Sequence, residues 1–280
     1  MRKLEALALH VALVAACAFA VYPLLWVVTL ALSPHGAGTV PRVVPLASSP
    51  SLDNFRAVLG LGVSGGAALF AAQLGNSLVV SASTALFAVL VATPAAYALA
   101  RFRFVGARSG MRALLATQMF PAVASAVPLY LLLDALHLLD SRTGLVLVYA
   151  STAVPFAIFQ LRGAFLAIPV DIEEAAMVDG ATRARAFWTV VLPAARPALA
   201  VTALFAFMSA WNEFILAATL LSRKTAYTLP VVIQSYVQEQ STAWGPFAAA
   251  AILVSAPVMA LFYVAQRQLV SGLTQGGVKG

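Results

Sequence analysis

The sequence predicts an all-α, polytopic transmembrane helical bundle. Three observations carry that expectation: an extreme apolar composition, six apolar runs of membrane-spanning length, and basic residues concentrated between alternate runs. Hydrophobic residues occupy 62% of the 280 positions and charged ones 10%, against roughly 45–50% and 25% in soluble domains. The net charge of +7 does not indicate nucleic acid, because the basic residues fall in short groups between apolar runs and not on one face or tail. Cys17 is the only cysteine, so no intrachain disulfide or cysteine-based metal site can form.

About 20 apolar residues cross the hydrocarbon core of a bilayer. The six runs extend from Leu4 to Leu32, Gln73 to Ala100, Arg112 to Leu136, Gly144 to Phe165, Pro197 to Leu221 and Pro246 to Ala265. The first follows a basic Met1-Arg2-Lys3 and contains Val14-Ala15-Ala16-Cys17, which is similar to a lipoprotein processing site. A removable signal turns polar after about 7–15 apolar residues. Here the run continues to Leu32, which predicts an uncleaved first span. Pro121 and Pro128 interrupt the third run, expected as one bent span because neighbours and water satisfy the backbone groups freed in a kinked membrane helix.

Basic residues set the orientation. With the N-terminus inside, the inner set holds twelve: Arg2, Lys3, Arg101, Arg103, Arg108, Arg112, Arg162, Arg183, Arg185, Arg196, Arg267 and Lys279. The outer set holds five: Arg42, Arg56, Arg142, Arg223 and Lys224. Both termini are therefore expected in the cytoplasm, with the chain multi-pass in the membrane. Two longer outer loops, Ser33 to Ala72 and Ser222 to Gly245, are rich in Pro, Gly and Ser, as irregular connections are.

The inner stretch from Ala167 to Arg196 is the most distinctive part of the chain. Asp171 and Glu174 have capping-box spacing and Pro169 lies just upstream, which predicts a short helix beginning near Ile172. Ile172, Ala175, Ala176 and Asp179 recur on one small, mostly apolar face, and Gly180 is placed to end the helix in a left-handed conformation. A second short helix is expected from Thr182 towards Leu192, where Pro193 breaks it. From the residues alone, two readings stand side by side. The first helix docks in a groove on a partner, with Glu174 bonding a basic group there; or it lies on the membrane surface as an amphipathic helix.

Glu174-Ala175-Ala176, then Gly180 after three residues, then Val190-Val191-Leu192-Pro193 after nine more, resembles the EAA loop of ATP-binding-cassette importer permeases. The family pattern often has Ile where this chain has Val190. Trp211-Asn212-Glu213-Phe214, Trp244-Gly245-Pro246-Phe247-Ala248 and the run from Gln266-Arg267 to Gly280 are similar to carbohydrate permeases, the smaller maltose/maltodextrin subunit above all. The resemblance implies the type I (MetI-like) importer permease fold and the import of a sugar, maltose or maltodextrin first, with trehalose and glycerol phosphate as related cargoes. It implies a coupling role for Glu174, Ala175, Ala176, Gly180, Leu192 and Pro193. The implied partners are a second permease subunit, two copies of a cytoplasmic ATPase and an extracytoplasmic sugar-binding protein. ATP and Mg would be held by the ATPase, since this chain has no Gly-x-x-x-x-Gly-Lys-Ser/Thr loop. The corresponding division is a first span with its outer loop at 1–72, a permease core at 73–268 containing the coupling loop 167–196, and a cytoplasmic tail at 269–280.

Glu213 lies within the fifth run, where a carboxylate marks a functional site by default. With Trp211 and Asn212 it belongs either to a substrate path or binding-protein contact, or simply to the outer surface water. Asp134 reads as solvated. Gly60-Leu61-Gly62-Val63-Ser64-Gly65 matches a dinucleotide fingerprint and Gly62 to Gly66 a nucleophile elbow, but neither follows a credible strand. His10, His35 and His137 lack metal-ligand spacing. Two rival functions remain to be weighed. A secondary carrier would usually show internal repeats, of which none is evident; an intramembrane protease built on Ser64 and His137 would need a serine that this reading puts in an outer loop.

Overall fold

A computed structural model describes residues 2–34, 49–237 and 242–277. Regular structure among these residues is helical apart from one β-bridge between Val237 and Thr242. The chain divides into two compact units, Met1–Ala72 with Val231–Met259, and Gln73–Pro230 with Ala260–Gly280.

In the first unit, α1 (Arg2–Leu32) is a continuous apolar helix that carries Pro23 and leaves Cys17 exposed. A short α2 (Asp53–Val58) follows, and Asn54 on it is fully buried. Its Nδ2 donates to the carbonyls of Ala31 at 3.1 Å and Ser33 at 2.7 Å, serving acceptors that the end of α1 leaves without intrahelical partners. Ala31, Val58 and Ala248 to Ala250 form the small core here. Gly245 is required: a Cβ there would stand 2.6 Å from the Asn54 amide. The glycine-rich loop between α2 and α3 (Gly66–Arg101) follows a helix and not a strand, so neither short motif has the context it needs. Gly60 ends α2 at φ +66, and a Cβ on it would collide with the backbone of Gly66.

The second unit begins along α3, which passes through Pro94 without breaking. Gly106, at φ +93, turns the chain into α4 (Ala107–Thr117), followed by α5 (Ala122–Ala135). The third expected span is thus two helices. The reason is local: Pro121 has no N–H and holds an extended conformation at ψ 129, so the helix cannot run through it. His137, at φ +55, closes α5: its N–H bonds to Asp134 and that of Leu138 to Leu133, the left-handed helix ending usually taken by glycine. Of the other two histidines, His10 bonds back to the Ala6 carbonyl, and His35 lies outside the described residues.

Then come α6 (Arg142–Ala167), capped by the Ser141 hydroxyl, and α7 (Val170–Val178). The second short helix starts as α8 (Arg183–Ala186), widens into a π turn at Phe187–Val191 and continues through α9 (Leu192–Ala194). Next is α10 (Arg196–Trp211), bent 71° from the Arg183–Ala194 stretch. The fifth expected span also divides, since α11 (Ile215–Leu220) begins afresh after Asn212–Phe214. A short α12 (Leu229–Gln234) and the long α13 (Trp244–Gly277) complete the described chain. Among the described residues, four helices are long and apolar enough to cross a membrane, and the bent pair makes a fifth candidate. The core of the second unit packs Ala85, Ala88, Ala92 and Ala96 of α3 against Ala157, Leu161 and Phe165 of α6, with Phe187 and Val191 from the π turn.

Candidate functional site

The Ala167 to Arg196 segment is seated on the adjoining ends of α3 and α6. Pro169 begins α7 with φ −57, and Asp171 is already inside the first turn without capping its N-terminus. The expected Asp171–Glu174 capping box therefore does not form. Proline, lacking an N–H and fixed in φ, stands as the N-cap and starts the helix at Val170, two residues before the expected Ile172, so Asp171 contributes only its favourable charge near the N-terminal dipole.

The C-terminal end matches expectation. Gly180 has φ +90, its N–H bonds to Met177 at 3.1 Å and the Ala181 N–H reaches Ala176 at 3.0 Å. These are the two bonds of a glycine-terminated helix. The Thr182 hydroxyl then accepts from the Arg185 N–H, starting the second helix where it is expected. Pro193 does not break that helix. At the π turn the Leu192 N–H bonds to Phe187, and the local unwinding relieves the clash a proline ring makes with the carbonyl four residues before it.

Of the expected small face, Ile172, Ala175 and Asp179 are exposed, and Ala176 is partly covered. Glu174 and Val178 are exposed beside them. Leu192 and Pro193 are half-buried. The preceding residue, Glu173, behaves oppositely and is buried. Its Oε1 accepts from the Tyr97 hydroxyl, and its Oε2 from Arg101 Nε at 3.0 Å. Arg101 also donates to the Ile168 carbonyl at 2.9 Å. Around this knot the Tyr97 ring meets Phe187 at 4.5 Å and Phe102 and Phe165 each at 5.9 Å. Arg183 sits 5.2 Å over the ring of Phe102. Sequence reasoning misses Glu173, Tyr97 and Arg101 as a group. The one available signal is a doubled glutamate on a short helix, where neighbouring side chains diverge by roughly 100° and cannot share an environment.

The second candidate group separates. Trp211 is buried and stacked on Phe207 at 5.5 Å, while the exposed Asn212 turns back to the Met208 carbonyl. Glu213 caps the start of α11, accepting from the N–H groups of Leu216 and Ala217 at 3.1 Å. Asp134 is exposed. A further polar cluster, unexpected from the sequence, holds the 222–229 stretch: Gln73 and Asn76 donate to carbonyls at Lys224, Thr225 and Tyr227, and Arg142 bonds Asn76.

Several helices of membrane-spanning length, with a pair of short helices folded back between them, one face exposed and the other pinned, are the features of a polytopic membrane protein. The chain belongs to the family described as binding-protein-dependent transport system inner membrane component, which residues 85–275 match. It is 37% identical to the trehalose transport system permease protein SugB of Mycobacterium tuberculosis, over 94% of this chain and 93% of that one. It is 36% identical to the maltose/maltodextrin transport system permease protein MalG of Vibrio parahaemolyticus, over 99% and 97% respectively. Among solved structures, a chain of a bacterial transporter that imports the acidic polysaccharide alginate superposes with a TM-score of 0.77 at 26% identity, covering 95% of this chain and 96% of that one. The fold is therefore that of a type I importer permease.

Proposed function

We propose that this chain is the membrane-spanning permease subunit of an ATP-driven importer for a neutral di- or oligosaccharide, maltodextrin or trehalose being the nearest candidates. The names of its relatives support a sugar, and so do apolar runs that carry few charges, since a neutral sugar needs hydrogen bonds and apolar faces but no strong counter-charge. The observation that carries the coupling role is the opposed fate of two neighbours: Glu173 is bonded inward to Tyr97 and Arg101, and Glu174 stands free on the exposed face of α7.

In this reading both termini and the Ala167 to Arg196 segment face the cytoplasm, and residues 73–268 form the permease core. Glu174, Ala175 and Ala176 enter a cleft on an ATPase subunit, and Gly180, Leu192 and Pro193 hold the two short helices in their folded-back arrangement. Two ATPase copies bind ATP and Mg and perform the hydrolysis. A second permease completes the pathway, and an extracytoplasmic binding protein delivers the sugar. Closure of the ATPase pair displaces α7, and the Glu173 bonds pass that displacement to the end of α3, opening the core outward. Trp211, Asn212 and Glu213 lie towards the receiving side.

The test is uptake by the intact complex in proteoliposomes, with ATP inside and the binding protein outside, offering maltotriose, trehalose and glycerol phosphate separately. Uptake of a neutral sugar that requires internal ATP is expected. Exclusive uptake of the charged solute, or uptake driven by an ion gradient without ATP, overturns the assignment.

A further inference from the structure

Where α3 ends and α4 begins, a cavity of about 480 Å³ opens in the second unit, lined by Arg103, Arg108, Arg112 and Arg162 together with apolar Leu99, Phe102 and Met111. We propose that it binds the phosphate of an anionic phospholipid headgroup.

Charge comes first. Four guanidinium groups line one cavity, and no carboxylate of the chain is among the lining residues. Arg103, Arg108 and Arg112 form no ion pair among the described residues. Arg162 spends its Nε on the Leu99 carbonyl at 3.3 Å, which fixes its stem against α3. Like charges gathered without a counter-charge repel one another, and a phosphate relieves that repulsion while matching the forked donors of arginine.

Position selects the source of the phosphate. Arg103 lies two residues beyond the last residue of α3, and Arg162 five residues before the end of α6, so the cavity sits where two membrane-length helices finish. Arg108 and Arg112 are four apart on α4, on one side of that helix, while Met111 and Leu114 pack onto the core beneath it. Phe102, Phe104 and Val105, in the turn between the helices, are exposed, Val105 completely. A basic pocket rimmed by exposed apolar side chains at a membrane boundary fits a headgroup with its acyl chains attached. A free phosphate would leave those side chains in water, and so would a short acidic peptide.

The experiment uses the intact transporter complex purified in detergent and measures retained lipid by native mass spectrometry, with phosphatidylglycerol and phosphatidylcholine as probes. Wild type should retain phosphatidylglycerol in preference. Arg108→Gln and Arg112→Gln should each weaken that retention roughly fivefold, and the Arg103→Gln/Arg108→Gln/Arg112→Gln triple about a hundredfold, from the approximate worth of one basic group near anionic lipid. Arg56→Gln, on α2 outside the cavity, should change nothing. Because the single variants leave most of the basic residues in place, they give a readout even where the triple fails to assemble. Equal retention of the two lipids by wild type, or undiminished phosphatidylglycerol in both single variants, overturns the proposal. Displacement of the lipid by millimolar inorganic phosphate also overturns it, in favour of a free-phosphate site.

Discussion

Arg101 Nε and Glu173 Oε2 lie 3.0 Å apart, with only 6% and 4% of their side chains exposed. Residues 72 positions apart in sequence thereby join the end of a membrane-length helix to the first short helix of the folded-back segment.

Removing one member of a buried pair strands the other, at a typical cost of about 3–5 kcal/mol, whereas replacing both by apolar residues of similar volume is often neutral. Arg101→Met and Glu173→Leu should each lower the melting temperature of the purified complex, and the double variant should recover much of the loss. Sugar-stimulated ATP hydrolysis should remain impaired in the double variant, because the connection is absent whatever the stability. A double variant that hydrolyses ATP in step with sugar as wild type does would show the pair to be structural only.

Glu174→Arg places a positive charge where an ATPase groove is expected to present one, and ATPase should no longer copurify. Gly180 meets nothing within 4 Å of a built Cβ, so any substitution there is opposed by its φ of +90 alone. Gly180→Val should therefore impair coupling through roughly 1–3 kcal/mol of backbone strain, and Gly180→Asn, better suited to that region, should be milder. Ala184→Ser, exposed on the second helix, is the neutral control; Ala186 would not serve, being fully buried. Equal coupling in Gly180→Val and Gly180→Asn would show that the left-handed turn is immaterial.

Topology is open to thiol chemistry in a Cys17→Ser background. Cysteines at Ser109 and Thr182 should resist an impermeant reagent in intact cells, and one at Thr242 should react. Labelling of the Thr182 position from outside would invert the orientation.

Asp140 supplies a pH test at the opposite end of the second unit. Burial by itself would raise its carboxyl, but N–H bonds from Arg223 and Ser222, with the charge of Arg223, outweigh it and hold the group below its usual 3.8. A lowered folded value means stability that is present above the unfolded value and lost as pH falls through the folded one. Asp140→Asn suits the left-handed φ of +53, so it removes charge with little backbone penalty. It should cost about 1 kcal/mol near neutral pH, with the difference from wild type fading as pH falls through the lowered folded value of the carboxyl. A melting difference unchanged across that range would exclude the charge as its cause.

The parts of the fold legible in the sequence are those with local causes. Apolar runs show where the long helices lie, and Gly180 and Thr182 announce a helix end and a helix start through their own backbone and side chain. What stayed hidden depends on distant partners or on competition between local signals. Glu173 looks like its neighbour until α3 brings Tyr97 and Arg101 to it. Asn76 is unremarkable within an apolar run, yet its carboxamide holds two carbonyls about 150 residues away. Asp171 loses its capping role because Pro169 has already set the helix start. In the fifth apolar run, Glu213 begins a new helix, so a carboxylate that reads as a pathway group is also a cap.

The π turn at Phe187–Val191 bears on how the length of this chain can vary. Such a turn holds one residue more than the α turn it replaces. Deleting the exposed Thr189 would restore regular winding and leave α8 and α10 in phase, but would press the Pro193 ring against a carbonyl. One residue added between α7 and α8 would instead rotate everything beyond it by roughly 100°. Single-residue length changes should therefore be tolerated at the π turn when Pro193 is replaced as well, and rejected elsewhere in the segment.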